Sequence, residues 1–286
     1  MADLIIAGVA LGAIYGLAGL SFVMIHNATG VVNFAHGDIV VVGGLVAAVA
    51  VTTLDIPLAL GLVLVVAVAM PLGVLLEVVA FRPLRGKPFA SVFTISIAVG
   101  IMLSSGLLIA FGPRPRTLPP IAPGRLDLGL FTIGWHGLFI LALTGVLVLA
   151  QWWLFQRTRL GFRLRATAED PMMARLLGIR VGRMTATTFG IASAYAAIAG
   201  VLLAPVIFLS NDTGSTLILK IFVAVVIGGF GSVAGALLGG VTLGVFEVLT
   251  SAYISSAYSD AIVFALLLVI LLVRPQGFLG KVQTRV

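Results

Sequence analysis

The chain has 286 residues, 60% of them hydrophobic and 9% charged, with a mean hydropathy of +1.22 and a formal net charge of +7. A soluble domain carries about 25% charged residues, so this composition excludes an ordinary water-soluble fold. There is no cysteine, which excludes disulfides and thiolate metal sites, and the basic excess reads as loop charge that orients a membrane protein rather than as a nucleic-acid surface.

The charges are clustered. Leu4 to Ile25, Ile56 to Leu76, Pro88 to Pro113, Leu128 to Gln156, Met184 to Asn211 and Ile221 to Phe246 contain no Asp, Glu, Lys or Arg. About 20 apolar residues cross the hydrocarbon as a helix, which satisfies its own backbone there. The fold class is therefore all-α, a polytopic helical membrane protein forming a single transmembrane domain over 1–286. The first run follows Met-Ala-Asp and lacks the basic start of a signal peptide, so it is expected to be a retained helix.

Next in the chain comes GVVNFAHGDIVVVGGL, residues 30–45, where Asn33, His36 and Asp38 stand between glycines and valines. The following apolar pieces are 36–53, 57–81, 88–111, 134–156, 184–209, 216–230, 234–253 and 259–273. Basic clusters at Arg82/Arg85/Lys87, at Arg157 to Arg183 and at Arg274/Lys281/Arg285 mark the cytoplasmic side. Parity places the Pro- and Gly-rich stretch 112–129 outside, against the vote of its three arginines. Eight or nine membrane segments satisfy these constraints. The preferred count is eight, with a broken or re-entrant second segment and the N-terminus inside.

Small residues recur at helical spacing: Gly8/Gly12/Gly16, Ala192/Ala196/Gly200/Ala204 and Gly231/Gly235/Gly239. In lipid such faces let helices approach closely, so the reading is packing within the bundle. Two glycine-interrupted regions, 26–38 and 228–234, point to a pathway near the membrane midplane, with Gly228 and Gly229 as candidates. Ionisable or strongly polar groups at membrane depth are functional candidates by default. Asn33 and His36 either line the pathway or hold a broken backbone, whereas Asp38 is expected to cap the helix that follows it. Glu247 is expected to face the bundle or a water cavity, Glu77 to partner Arg82 near the interface, and Lys220 to snorkel from the outer end of its span. His26, His36 and His136 have no ligand spacing, so no metal site is expected.

The cytoplasmic loop, about 157–184, contains RLRATAEDPMMARLLGIRVGRM. Asp170 suits an N-cap, Pro171 the first helical position and Gly178 a left-handed stop. Met172, Met173, Leu176 and Leu177 give the short helix an apolar face. Such a helix lies on lipid headgroups or docks in a groove of a cytoplasmic partner.

This loop resembles the coupling loop of ABC importer permeases, and ATAEDPMMARLLGI is similar to the segment found in branched-chain amino acid permeases of the LIV type, in the first of their two permease subunits. VVNFAHGDIVVVGG resembles that family's Asn-Phe-Ala-His-Gly motif. The stretches 224–249 and 264–280 resemble its C-terminal half. The departure is Pro171, where a non-proline residue is more usual. The resemblance implies a permease subunit of an ATP-driven importer in a bacterial-type cytoplasmic membrane. It would form a pathway for branched-chain or related small amino acids with a second permease. Two ATPase subunits would carry ATP and Mg, and a substrate-binding protein would deliver the cargo. Glu169, Asp170, Met172, Met173, Leu176 and Gly178 would then transmit ATPase closure. The chain itself has no G-x-x-x-x-G-K-[ST] phosphate loop, holds no cofactor and is not expected to be an enzyme. The alternative is an ion-coupled secondary transporter or channel for a small polar solute, with Asp38 and Glu247 as coupling carboxylates.

Overall fold

A computed structural model describes residues 1–280 apart from 121, 123, 128–131, 257 and 275. Lys281 and Arg285, counted above among the basic residues, lie outside the described residues. Within them are eleven α-helices: α1 (Ala2–Thr29), α2 (His36–Thr52), α3 (Leu58–Leu76), α4 (Phe89–Phe111), α5 (Trp135–Arg157), α6 (Arg159–Glu169), α7 (Pro171–Leu176), α8 (Val181–Leu203), α9 (Thr213–Gly228), α10 (Val233–Tyr253) and α11 (Ser259–Val273). A π-helical turn (Glu77–Phe81) and a 3-10 turn (Arg82–Leu84) extend α3. One antiparallel hairpin, β1 (Arg125–Asp127) with β2 (Thr132–Gly134), is the only sheet among the described residues.

The helical class is as expected. Six helical stretches are long and apolar enough to cross a membrane, while α2, α9 and α11 are apolar but shorter. A helix rises 1.5 Å per residue, so the 17 residues of α2 reach about 26 Å against roughly 30 Å of hydrocarbon. α2 is buried on nearly all sides, as befits a helix that is hydrophobic all round.

The chain divides into two compact units, each built from separated stretches: residues 1–23, 119–144 and 219–286 in one, 24–118 and 145–218 in the other. In the first, Gly8 and Gly12 of α1 meet the α10 backbone at Val245 and Val241, and Gly240 and Gly244 of α10 meet Gly16 and Gly12 in return. Gly235 and Gly239 close on α9 instead, at Gly228 and Ala224. The expected small-residue packing is therefore realised, but the α10 face toward α1 is Gly240/Gly244, one helical step from the glycines the spacing suggested. In the second unit α2 and α8 pack backbone to backbone, with Gly43 against Ala197 and Gly200 against the Val40 carbonyl.

Candidate functional site

Three places collect the residues singled out in the sequence. The first is an arm made of α6 and α7. Thr158 Oγ1 accepts from the Gly161 N–H at 3.0 Å and opens α6. Gly161, Leu164 and Thr167 form its buried side, while arginines occupy the other. Asp170 is extended and its Oδ1 accepts from the Met172 and Met173 N–H groups at 2.8 and 2.9 Å. Pro171 starts α7, and Gly178 ends the turn at φ +78°. Ala174 is buried, whereas Met172, Met173, Leu176 and Leu177 are 58–79% exposed. The cap, the start and the stop are thus the expected ones. The sequence reading missed α6, whose Thr158 cap and spaced Gly161/Leu164/Thr167 were its available signal.

The arm returns to the bundle through α8, and Glu77 fixes that root. Its carboxylate is 1% exposed and accepts from Arg82 at 2.7 Å and from Arg85. The Thr185 hydroxyl donates to it at 3.3 Å, and Arg82 also donates to the Gly182 carbonyl at 3.1 Å. Glu77 partners Arg82 as expected. Arg85 and Thr185 were not foreseen, because Thr185 is distant in sequence. This knot joins the end of α3 to the first turn of α8.

The second place is the break between α1 and α2. Gly30 turns the chain at φ +70°. Asn33 is buried, and its Oδ1 accepts from the Ala35 N–H at 3.0 Å while its own carbonyl accepts from the His36 N–H at 3.2 Å. His36 is fully buried and begins α2. Asp38 does not cap this helix: the N-cap residue is Ala35, without a side-chain bond, and Asp38 sits in the first turn. The reason is that Asn33 already organises the turn and the helix starts two residues before Asp38. The Asp38 carboxylate packs instead over Gly100 of α4 and Gly214 of α9, filling the room where their side chains would stand.

The third place lies around α9 and α10. Gly229 and Gly231 have φ of +108° and +85°, and the Ser232 hydroxyl accepts from the Gly235 N–H at 3.0 Å to start α10. The chain after α11 returns here: Phe278 and Leu279 N–H groups donate to the Ile227 and Gly228 carbonyls at 2.9 and 2.8 Å. Gly228 abuts Gly235, and Gly229 abuts Gly280, too closely for any side chain. Lys220 does not snorkel. It is 9% exposed and donates to Glu247 and to Asp260 at 2.8 Å each. The two acids on α10 and α11 supply inside the unit what headgroups would otherwise offer. Glu247 faces inward as expected.

Asn33 and His36 therefore belong to one unit, and Gly228, Gly229 and Glu247 to the other. Glu169, Asp170, Met172, Met173, Leu176 and Gly178 come together on the arm. Among the described residues no three His, Asp or Glu side chains group to hold a metal.

Residues 4–271 match the model of the family described as branched-chain amino acid transport system / permease component. The chain is 36% identical over 288 residues to the high-affinity branched-chain amino acid transport system permease protein LivH of Escherichia coli K12, covering 96% of this chain and 94% of that protein. It is 32% identical to the corresponding permease protein BraD of Pseudomonas aeruginosa, over 97% and 95% of the two chains. With the probable branched-chain amino acid transport permease protein LivH of Methanocaldococcus jannaschii it shares 31% identity over 92% and 88%.

Proposed function

This chain belongs to the branched-chain amino acid transport permease family, and we propose that it lines a substrate pathway together with a second permease and couples that pathway to ATPase subunits through α7. It is a transport subunit of a multi-pass membrane system. ATP and Mg are held by the partner ATPases, a substrate-binding protein delivers the cargo, and the membrane is a bacterial-type cytoplasmic one. The cargo is a branched-chain or related small amino acid. Asn33, His36, Gly228, Gly229 and Glu247 are the proposed pathway residues, Asn33 by holding the break before α2.

The observation that carries this reading is the exposed apolar face of α7. Four large apolar side chains are exposed on six helical residues and the residue after them, held by an Asp170 cap and a buried Ala174, with Met172, Met173 and Leu176 outside the arginine-lined cavity beside Leu177. An unpartnered face of this size on a rigid, capped helix is a docking knob, and methionines suit an adaptable groove. Its arm enters α8 beside the Glu77 knot, so a push on α7 reaches α3 and α8 together. The secondary-transporter reading needs carboxylates free to take up ions; of its two candidates Glu247 is committed to Lys220, and only Asp38 has no ion pair among the described residues.

The test is copurification of the tagged chain with its ATPases, in the parent and in a Met172→Asp/Leu176→Asp variant. The parent retains the ATPases and the variant loses them while eluting as a folded membrane protein. Equal ATPase recovery from both would remove α7 from the coupling role.

A further inference from the structure

We propose that Arg163, Arg180 and Arg183 form a site for the phosphate group of an anionic phospholipid at the root of the α6–α7 arm. The three side chains line one cavity of about 340 Å³, with Leu177, Gly178, Ile179 and Met184 as the remaining walls. No acidic residue lines it. None of the three arginines has an ion pair among the described residues. The three arginines are exposed, so water and salt screen their mutual repulsion in part, and an anion between them relieves the remainder. The planar fork of a guanidinium matches the oxygens of a phosphate.

Local structure explains how the three meet. Gly178 reverses the chain after α7, and the Ile179 N–H bonds back to the Ala174 carbonyl at 2.9 Å. Arg180 and Arg183, at the start of α8, thereby come beside Arg163 on α6. The depth of the cavity is set by its neighbours. α8 is one of the long apolar spans and begins at Val181, so Arg180 and Arg183 bracket the point where the chain enters the apolar layer. α5 ends with Trp152 and Trp153 half exposed, and the Arg157 guanidinium stands 5.9 Å over the Trp152 ring. Such tryptophans mark the membrane–water interface. α6 folds onto this end, with Gly161 against the backbone of Leu154 and Phe155. Arg163 follows Gly161 by two residues, which puts the cluster at headgroup level. Basic pockets there recruit anionic headgroups. The apolar walls at Leu177, Ile179 and Met184 suit the glycerol and upper acyl chain of a lipid, and do not suit an all-polar anion.

The test uses the assembled importer in nanodiscs of phosphatidylcholine mixed with phosphatidylglycerol, with retained lipid counted by native mass spectrometry. The parent retains phosphatidylglycerol in preference to phosphatidylcholine. R163Q/R180Q/R183Q retains several-fold less, and K87Q/R114Q/R274Q, with the same change of charge elsewhere, retains as much as the parent. Equal loss in both variants makes the effect one of general surface charge and overturns the proposal. Binding of inorganic phosphate in detergent without any phosphatidylglycerol preference overturns the lipid as source. Full lipid retention by the triple site variant, with loss only of the ATPases, makes the cluster a protein-docking surface and also overturns it. The lipid count is independent of whether α7 couples to an ATPase, so the two readings fail separately.

Discussion

Lys220 on α9 and Glu247 on α10 meet at 2.8 Å, and the same ammonium reaches Asp260 at the start of α11, also at 2.8 Å. Lys220 is nearly buried, while the Asp260 side chain is half exposed. Removing one member of a buried pair leaves a charge without compensation, at about 3–5 kcal/mol, whereas replacing both with apolar groups is often neutral. Lys220→Met and Glu247→Leu should therefore each lower thermal stability in detergent, and the double variant should recover most of the loss. A double variant as unstable as the sum of the two singles would show that the residues do not act as a pair.

Asp170 acts locally. Its Oδ1 takes two of the free amides of α7, and replacing an N-cap acid by alanine costs about 0.5–2 kcal/mol. α7 is only six residues long, so this is a large share of what holds it. Asp170→Ala should speed hydrogen exchange across Met172 to Leu177 and weaken ATPase recovery. Asp170→Asn keeps an acceptor and should stay close to the parent in both measurements.

The extent to which the sequence disclosed these features follows from the range of the physics. Charge-free runs place the long helices, because crossing hydrocarbon is a demand on each segment by itself. The Asp170, Pro171 and Gly178 signals are equally local, and all three fall where their residue chemistry puts them. Partners across the fold are not encoded in any short window. Lys220 reads as a snorkelling residue until Glu247 and Asp260 are brought to it. Glu77 reads as an Arg82 partner until α8 presents Thr185. Asp38 was misread for a different reason. Two side chains near one helix start compete for the turn, and Asn33 wins it by bonding the Ala35 N–H, leaving Asp38 to fill space over Gly100 and Gly214.

That competition makes Asn33 testable. Its Oδ1 satisfies a buried amide, and its Nδ2 has no partner among the described residues. Leaving a buried donor unpaired costs about 1–3 kcal/mol. Asn33→Ala orphans the Ala35 N–H but also deletes the unpaired Nδ2, so it should cost at most that much stability, and Asn33→Ser, which keeps an acceptor, should cost less. If uptake tracks stability through both variants, Asn33 serves the pathway by holding its backbone. Uptake abolished in a fully stable Asn33→Ser variant would assign Asn33 a contact with the cargo.

Glu77 carries the last prediction, because it ties the arm to the bundle. Its buried carboxylate gathers Arg82, Arg85 and Thr185 at the junction of α3 and α8. Glu77→Gln keeps the volume and one acceptor oxygen but removes the charge that the two guanidiniums face. The arm itself, with its Asp170 cap, is untouched by that change. ATPase recovery should therefore be normal, while ATP hydrolysis proceeds with reduced uptake, since movement of α7 no longer passes faithfully into α3 and α8. The readout is the ratio of cargo transported to ATP hydrolysed in proteoliposomes. An unchanged ratio, with both rates falling together, would make the knot a stabilising element only.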